Sequence, residues 1–349
     1  MIIRKLDRRE HGKTRSLYET VFTEDSRKFV DYYYTWKTRD NTIYVAEDEE
    51  GIHSMVHLNP FWVSVNGRRQ MVHYIVAVAT EEKYRHCGLM RSLLNLAMDE
   101  MAENGEPFTF LLPASEAIYL PFGFQFVSRQ RQGILLARQI SEHSGGFCPE
   151  QNDLKSDAAE TAVNWGNQSC GIVREMPEYH PVCAEEYQIL ADFVNKTLAK
   201  QTNIFVLRDA AYYERLIREQ RSQNGDVMVI FSGKEIIGTF CTTQEEDIDI
   251  QADSSEDLPL SQITCSCDIR EVIVKKGYHD EVFHVLQEFA DQNGNCKVSG
   301  YLEDFKFFGE KSMPLMMARE LAAEPGGDKV DERTVRAASL PVIFINETV

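Results

Sequence analysis

The sequence predicts an α/β (α+β) fold: a mixed central sheet flanked by helices, laid out twice along the chain and followed by a short C-terminal strand-like tail. Three observations carry this. Strand and helix patterns alternate from the first residues onward. One strand, 70–80, is apolar on both faces, with Val72, Tyr74, Val76 and Val78 on one side and Met71, Ile75, Ala77 and Ala79 on the other, so it needs cover on both sides. The strand–helix–strand order that follows recurs in the second half, and 349 residues suit two domains at ~100–200 residues each.

The elements follow in order. Residues 2–6 read as a first strand, 11–22 and 25–36 as helices, and 42–47 and 52–58 as strands, with 61–65 continuing the second. After the central strand, a loop at 81–87 leads into a helix at 88–103. There Leu89, Leu93, Leu96, Ala97 and Met101 recur at helical spacing, and Asn104-Gly105 ends it. Residues 108–112 form a buried strand and 115–120 a short helix. A strand beginning at 124–129 is expected to pair with 133–138. Residues 141–157, holding Gly145, Gly146, Pro149 and Asn152, break the pattern and read as the interdomain connection. In the second half, 185–199 and 209–219 are helical, and 227–231 with 236–242 makes a hairpin about Ser232-Gly233-Lys234. Residues 244–258 read as an exposed acidic insertion, and 264–274, 279–292 and 296–301 repeat strand–helix–strand. A polar linker at 324–331 precedes the apolar run 340–345.

Composition narrows the function. With 43% apolar and 26% charged residues the chain is globular. A net charge of −18 lacks the basic footprint of a nucleic-acid binder, so no nucleic-acid partner is expected. An anionic ligand would therefore depend on local backbone amides and a few nearby cations. No apolar run approaches the ~18–20 residues of a membrane span, and the start has no signal core, so no membrane role is expected. The eight cysteines include no C-x-x-C pair. Cys265 and Cys267 share a strand face as ordinary core residues, no metal is expected, and the reading is a cytoplasmic protein with free thiols.

The segment that carries chemistry runs from Val76 to Leu94. A buried strand gives way to a short basic loop, and Gly88 opens a long helix, where unpaired N–H groups bind anions. Lys83, Arg85, His86 and Arg91 bring positive charge to that point. The physical reading is a pyrophosphate cradle; a loop with solvated arginines is the plain alternative. Neither G-x-x-x-x-G-K-[ST] nor G-x-G-x-x-G is present. Arg85-x-x-Gly88-x-Met90 resembles the R/Q-x-x-G-x-G/A signature of the GNAT acetyltransferases, with Met90 where Gly or Ala is usual. Arg85-His-Cys-Gly-Leu-Met-Arg91 is similar to the R-x-x-G-L-[LM]-R of the Eis-like (enhanced intracellular survival) subfamily. Ala114-Ser-Glu-Ala-Ile-Tyr-Leu-Pro-Phe-Gly-Phe124 resembles that subfamily's S-E-x-x-I-Y-x-x-F-G-[FY].

The resemblance implies tandem GNAT-like domains. These are an N-terminal acetyl-CoA-binding domain over 1–145, a second, degenerate domain over 146–325 without the loop motif and hence without coenzyme, and a tail, 326–349, reaching the active site. Residues 322–349 are too few for the sterol-carrier-like domain of longer relatives. The implied activity is transfer of an acetyl group from acetyl-CoA to a primary amine, on a small molecule or a lysine side chain, and the acidic balance favours a cationic acceptor. Coenzyme contacts would come from Val78, Ala79 and Thr80 on the strand, from Arg85, His86, Cys87, Gly88, Leu89, Met90 and Arg91 in the loop and helix, and from Ala114 and Ser115. Tyr119 would be the general acid, and the terminal carboxylate of Val349 the base. Cys87 as an acetyl-carrying nucleophile is disfavoured, because the resemblance gives its amide to phosphate. His53, His57 and His73 lie on neighbouring strands and could face the substrate, with a structural role favoured for each. Tyr32, Tyr33, Tyr34 and Trp36 lie on a helix that lines the acceptor pocket in this fold, or is merely amphipathic. A homo-oligomer stays open. The competing readings are a non-catalytic acyl-CoA sensor or scaffold and an anion-binding protein unrelated to coenzyme A.

Overall fold

The computed structural model describes residues 1–138, 176–244, 248–249, 264–300 and 305–321. In chain order the first half holds β1 (Ile2–Lys5), α1 (Arg15–Val21), α2 (Arg27–Trp36), β2 (Thr42–Asp48), β3 (Gly51–Val65), β4 (Arg68–Thr80), α3 (Leu89–Glu103), β5 (Phe108–Leu111), α4 (Glu116–Tyr119), β6 (Gln125–Phe126) and β7 (Arg129–Leu135). The second holds β8 (Glu178–Pro181), α5 (Tyr187–Gln201), β9 (Ile204–Val206), α6 (Ala210–Ser222), β10 (Val227–Ser232), β11 (Glu235–Thr243), β12 (Ile248–Asp249), β13 (Thr264–Cys265), β14 (Cys267–Val274), α7 (His279–Asn293), β15 (Cys296–Gly300), β16 (Phe308–Pro314) and β17 (Met317–Glu320). The connection at 141–157, most of the acidic insertion and the whole of 322–349 lie outside the described residues.

Two mixed sheets result, ordered β1-β2-β3-β4-β5-β17-β6, with β9 on the far end of β3, and β16-β7-β15-β14-β11-β10-β8. In the first, α1 and α2 cover one face through Leu17, Tyr18, Val30 and Tyr33, and α3 covers the other through Leu93, Leu94, Ala97, Met98 and Met101. Each sheet has one parallel pair, β4 with β5 and β14 with β15, crossed over by α3 and α7.

The expected hairpin of 124–129 with 133–138 does not form. β6 pairs with β17, while β7 runs into the second sheet between β15 and β16. The physical reason is legible afterwards. The Gln130-Arg131-Gln132 stretch holds no turn residue, so the chain continues extended. Gly133 is needed because a Cβ there would lie 2.4 Å from Phe307 Cβ. The second sheet thus borrows β7 from the first half of the sequence, and the first borrows β17 and, at the end of β3, β9 from the second. Elsewhere the halves meet where Tyr32 donates to Glu219 (3.1 Å), Arg215 pairs with Asp40 (2.6 Å) and Trp36 lies between Arg39 and Arg218, each 3.9 Å from its ring.

A second departure lies inside the central strand. Between Met55 and His57 of β3 the partner β4 advances from Ala79 to Val76, one residue more, and Ala77 takes φ +48°. This β-bulge inverts the alternation expected of 70–80: Val72, Tyr74, Val76, Ala77 and Ala79 join the core under α1 and α2, whereas Val78 packs on the α3 side with Ile75. The second sheet repeats the device. Between Thr239 and Cys241 of β11, β14 runs from Ile273 to Arg270, and Glu271 takes φ +52°. There the buried Glu271 carboxylate accepts from Arg208 Nη2 at 2.7 Å, and Arg208 Nη1 donates to the Tyr213 hydroxyl at 3.3 Å.

Arg208 and Glu271 are both almost inaccessible, so removing one alone strands a charge. Arg208→Met should lower unfolding free energy by roughly 3–5 kcal/mol, and adding Glu271→Leu should restore most of it. Urea denaturation of the three proteins measures this.

Candidate active site

The bulge determines what β4 does next. Pairing with β5 stops at Tyr74–Phe110 and Ile75–Leu111, and β5 itself ends at Leu111. Beyond the bulge, among the described residues, only β3 runs alongside, with Met55 opposite Ala79 and Ser54 opposite Thr80. Val78, Ala79 and Thr80 therefore present one backbone edge that β5 does not cover, beside a half-buried Val78 and Thr80.

A tight 3-10 turn, Glu82–Tyr84, then leads through Arg85, His86 (φ +63°) and Cys87 to Gly88. Gly88 caps α3 at φ +82°, ψ 2°, without a side-chain cap. A Cβ at this position would meet nothing within 4 Å, so glycine is required by the left-handed backbone rather than by crowding within the protein. The first helical bond is Ser92 N–H to Gly88 O at 3.0 Å, which leaves the Leu89, Met90 and Arg91 amides outside the helical ladder at its positive end. Arg85, His86, Cys87 and Gly88 are exposed.

The basic side chains divide into two sets. Lys83 is engaged by Glu50 (3.3 Å) and Glu81 (3.6 Å), whose hydrogen bonds and charge raise its pKa. Arg85, His86 and Arg91 have no acidic partner among the described residues. Arg85 Nε reaches the Thr80 carbonyl at 3.4 Å, tying the loop to the strand end, and the Arg91 guanidinium sits 5.0 Å from the Phe122 ring centre. That last contact joins the start of α3 to the turn after α4.

Ala114 and Ser115 are exposed ahead of α4, and Ser115 makes no side-chain cap. Tyr119 is 7% exposed, edge-on to Phe124 at 6.0 Å, in the cluster with Leu93, Leu94 and Phe122 against which Val78, Leu89 and Met90 also pack. Strand edge, helix start and tyrosine are thus gathered on one core. Burial pushes the Tyr119 phenol up to about 12. Its hydroxyl makes no hydrogen bond among the described residues. Val349 lies outside them.

The remaining candidates have other duties. His57 is fully buried, hydrogen-bonded to the Tyr33 hydroxyl (2.8 Å), and pushed down to about 3 by desolvation and then by His11, so it is neutral. His73 is fixed by Glu106 at 2.7 Å. Tyr33 stacks on Tyr18 and Tyr34 meets it edge-on, while Tyr32 and Trp36 face α6 and line a surface groove with Glu214 and Arg218. What the sequence did not disclose is Ala77, since alanine carries no signal for positive φ, and His53, whose ring is held by Asp48 and Glu81.

Residues 2–127 match the family model of the acetyltransferase (GNAT) domain. No curated protein matches the chain. Among solved structures, a protein from Enterococcus faecalis V583 described as a probable N-acyltransferase is 14% identical over 92% of this chain and 72% of that one, with a TM-score of 0.64. A GCN5-related N-acetyltransferase from Anabaena variabilis is 12% identical over 92% and 73%, TM-score 0.62. Eis1 from Mycobacterium abscessus is 10% identical over 92% and 74%, TM-score 0.57. At these identities the likeness is one of fold, and it spans both halves. The chain carries a GNAT domain, the domain of enzymes that use acetyl-CoA, and its class is acyltransferase.

Gly88→Asp combines a strained side chain with a negative charge at the helix start. Calorimetric titration should show CoA binding abolished in a folded variant, with Arg85→Ala and Arg91→Ala each costing roughly 1–3 kcal/mol. Unchanged affinity in folded Gly88→Asp would remove the cradle.

Proposed function

We propose that the protein is an Eis-like, cytoplasmic N-acetyltransferase that moves the acetyl group of acetyl-CoA directly to a primary amine on a cationic small molecule or a lysine side chain. The observation that carries this is the edge of Val78–Thr80, uncovered among the described residues, running into a helix start at Gly88 without a side-chain cap, with Tyr119 on the same core. Acetyl-CoA supplies the activated acyl thioester. The amides of Gly88, Leu89, Met90 and Arg91 with Arg85 and His86 bind its phosphates, Ala114 and Ser115 flank it, and the strand edge orients the acyl carbonyl. In this reading residues 1–145 hold the coenzyme, 146–325 form a non-binding companion domain, and 326–349 bring the tail to the site.

Tyr119 returns a proton to the departing sulfur. At about 12 its phenol stays protonated throughout the working range and gives up the proton less readily than a free phenol. The descending alkaline limb it controls should therefore lie above about pH 10. Tyr119→Phe should keep CoA affinity and lose about 10²–10⁴-fold in kcat; a loss under about fivefold with chemistry rate-limiting would make it a packing residue. Release of free CoA from acetyl-CoA across an amine panel tests the function itself. Tight CoA binding without release on any amine would favour a sensor or scaffold.

The Val349 carboxylate is the proposed base. A carboxylate near ~3.5 is weak toward an ammonium, so the site must lower the amine's pKa by desolvation or use the carboxylate to orient it. Amidating the terminus or extending it by a few residues should suppress acetylation at unchanged CoA affinity, while Val349→Ala stays mild. Equal activity of native and extended protein would remove Val349 from the site.

A further inference from the structure

The loop that leaves β4 begins on a buried histidine. His53, on β3, is 3% exposed, and both ring nitrogens face carboxylates: Nε2 lies 2.7 Å from Asp48 Oδ1 and Nδ1 lies 2.7 Å from Glu81 Oε2. Its carbonyl accepts from the Glu81 amide at 2.8 Å, and its ring centre is 4.1 Å from that of Tyr84. Glu81 and Tyr84 bracket the turn that sets the direction of Arg85 to Gly88, since Tyr84 N–H bonds Glu81 O (2.9 Å) and Arg85 N–H bonds Glu82 O (3.1 Å). A neutral imidazole donates through one nitrogen only, whereas two carboxylates at hydrogen-bond distance require two donors. The ring is thus a cationic staple between the end of β2, the strand β3 and the first residue of the loop.

We propose that His53 is a positioning residue for coenzyme binding: clamped between Asp48 and Glu81, its imidazolium fixes where the β4–α3 loop starts and so aims the amides of 86–89. This rests on reading that loop as the coenzyme cradle. The surroundings decide the pH behaviour. Asp48 approaches from β2 and Glu81 and Tyr84 from the loop. Lys83 touches Glu81 and Glu50, and the amino terminus acts on Asp48. Burial works against the cation, but the hydrogen bonds to Asp48 and then Glu81 outweigh it, and the His53 pKa is raised above 6.5. The staple is therefore complete below that value and loosens as pH rises through the raised pKa, when one nitrogen becomes an acceptor facing a carboxylate.

The experiment is calorimetric CoA binding from about pH 6 to about pH 9 for the wild type, H53Q, E81Q and H86Q. Wild-type affinity should fall about 3–10-fold across the range, the loss expected for one charge-assisted bond in a partly exposed pair. H53Q should be weaker at the acid end and lack that fall. E81Q, whose amide can donate to a neutral ring nitrogen, should hold its affinity at the alkaline end. H86Q should be weaker but keep the part of the fall that H53Q removes, which separates the loop imidazole from the buried one, and the titration of CoA's own phosphate is common to all four. In turnover, H53Q should raise KM for acetyl-CoA with kcat nearly unchanged. A folded H53Q with wild-type affinity and slope, or a slope lost in H86Q instead, overturns the proposal; if H53Q does not fold, an E81Q profile identical to wild type does so. Wild-type protein that binds no CoA at any pH overturns the cradle and this proposal together, whereas Gly88-dependent binding that ignores His53 overturns this proposal alone.

Discussion

One extra residue in β4 governs the site. With Ala77 at positive φ, the strand carries three residues where β3 carries two, and everything beyond changes face. The bulge twists the strand away from β5, and the sheet opens between its two parallel members at the end where the β4–α3 loop begins. Without it Val78 would lie under α1 and α2, and the edge at Val78–Thr80 would be free to pair with a longer β5. The left-handed φ at a non-glycine residue costs of order 1–3 kcal/mol, which the surrounding core of Tyr18, Tyr33, Val76 and Ala79 must offset. A binding edge in the middle of a sheet is otherwise hard to make, since every interior strand has its amides taken on both sides.

The second sheet is an internal control on this idea. β14 has the same bulge at the same phase: Val272 takes the place of Val78, and Glu271 that of Ala77. Pairing of β14 with β15 likewise stops at Ile269–Val298. Yet β15 ends in Gly300, where a Cβ would come within 3.7 Å of the Val272 amide nitrogen, and Phe305 is buried in the same cluster as Val272 and Val274. The gap is filled by the protein's own chain. The loop to α7 is also shorter, Lys275 to Tyr278, with Lys275 turned to Glu235. A bulge makes the edge available; whether a ligand uses it depends on what the chain places alongside. In the second sheet the bulge residue Glu271 is held by Arg208, and Phe305 lies in the same buried cluster as Val272.

How much of this was legible in the sequence follows from what each residue type signals. Periodicity located most of the strands and helices to within a few residues but not β8, β9, β16 or β17, which are short or lie at sheet edges, and Gly88 announced itself by standing between a basic loop and a helix. The pattern of 70–80 was read as strictly alternating, because Ala77 and Val78 are both apolar and either phase buries apolar side chains. The inversion is invisible until the register is seen. The exchange of β7 and β17 was equally hidden, since strand pairing over such a span of sequence leaves no local mark. His53 lay in plain view on a strand, but its meaning depends on Asp48 and Glu81, which the chain brings to it only after the β2–β3 turn and the whole of β3–β4 are formed.

The charge balance sets the terms on which such a site can hold an anion. The protein carries a net charge of −18, and long-range attraction for a polyphosphate is therefore lacking. At physiological ionic strength, however, charges beyond a Debye length of ~8 Å are largely screened, so the decisive terms are those within one helical turn of Gly88. There Arg85, His86 and Arg91 have no acidic partner among the described residues, while Lys83 is spoken for by Glu50 and Glu81. Glu81 in turn is shared with His53, so this acid at the start of the loop is satisfied from two sides. Neutralising that acid, as well as supplying arginines, lets an acidic protein keep positive charge beside the start of α3. The histidine proposed to aim the loop therefore also offsets a negative charge at its entrance, and both contributions weaken as the ring loses its proton.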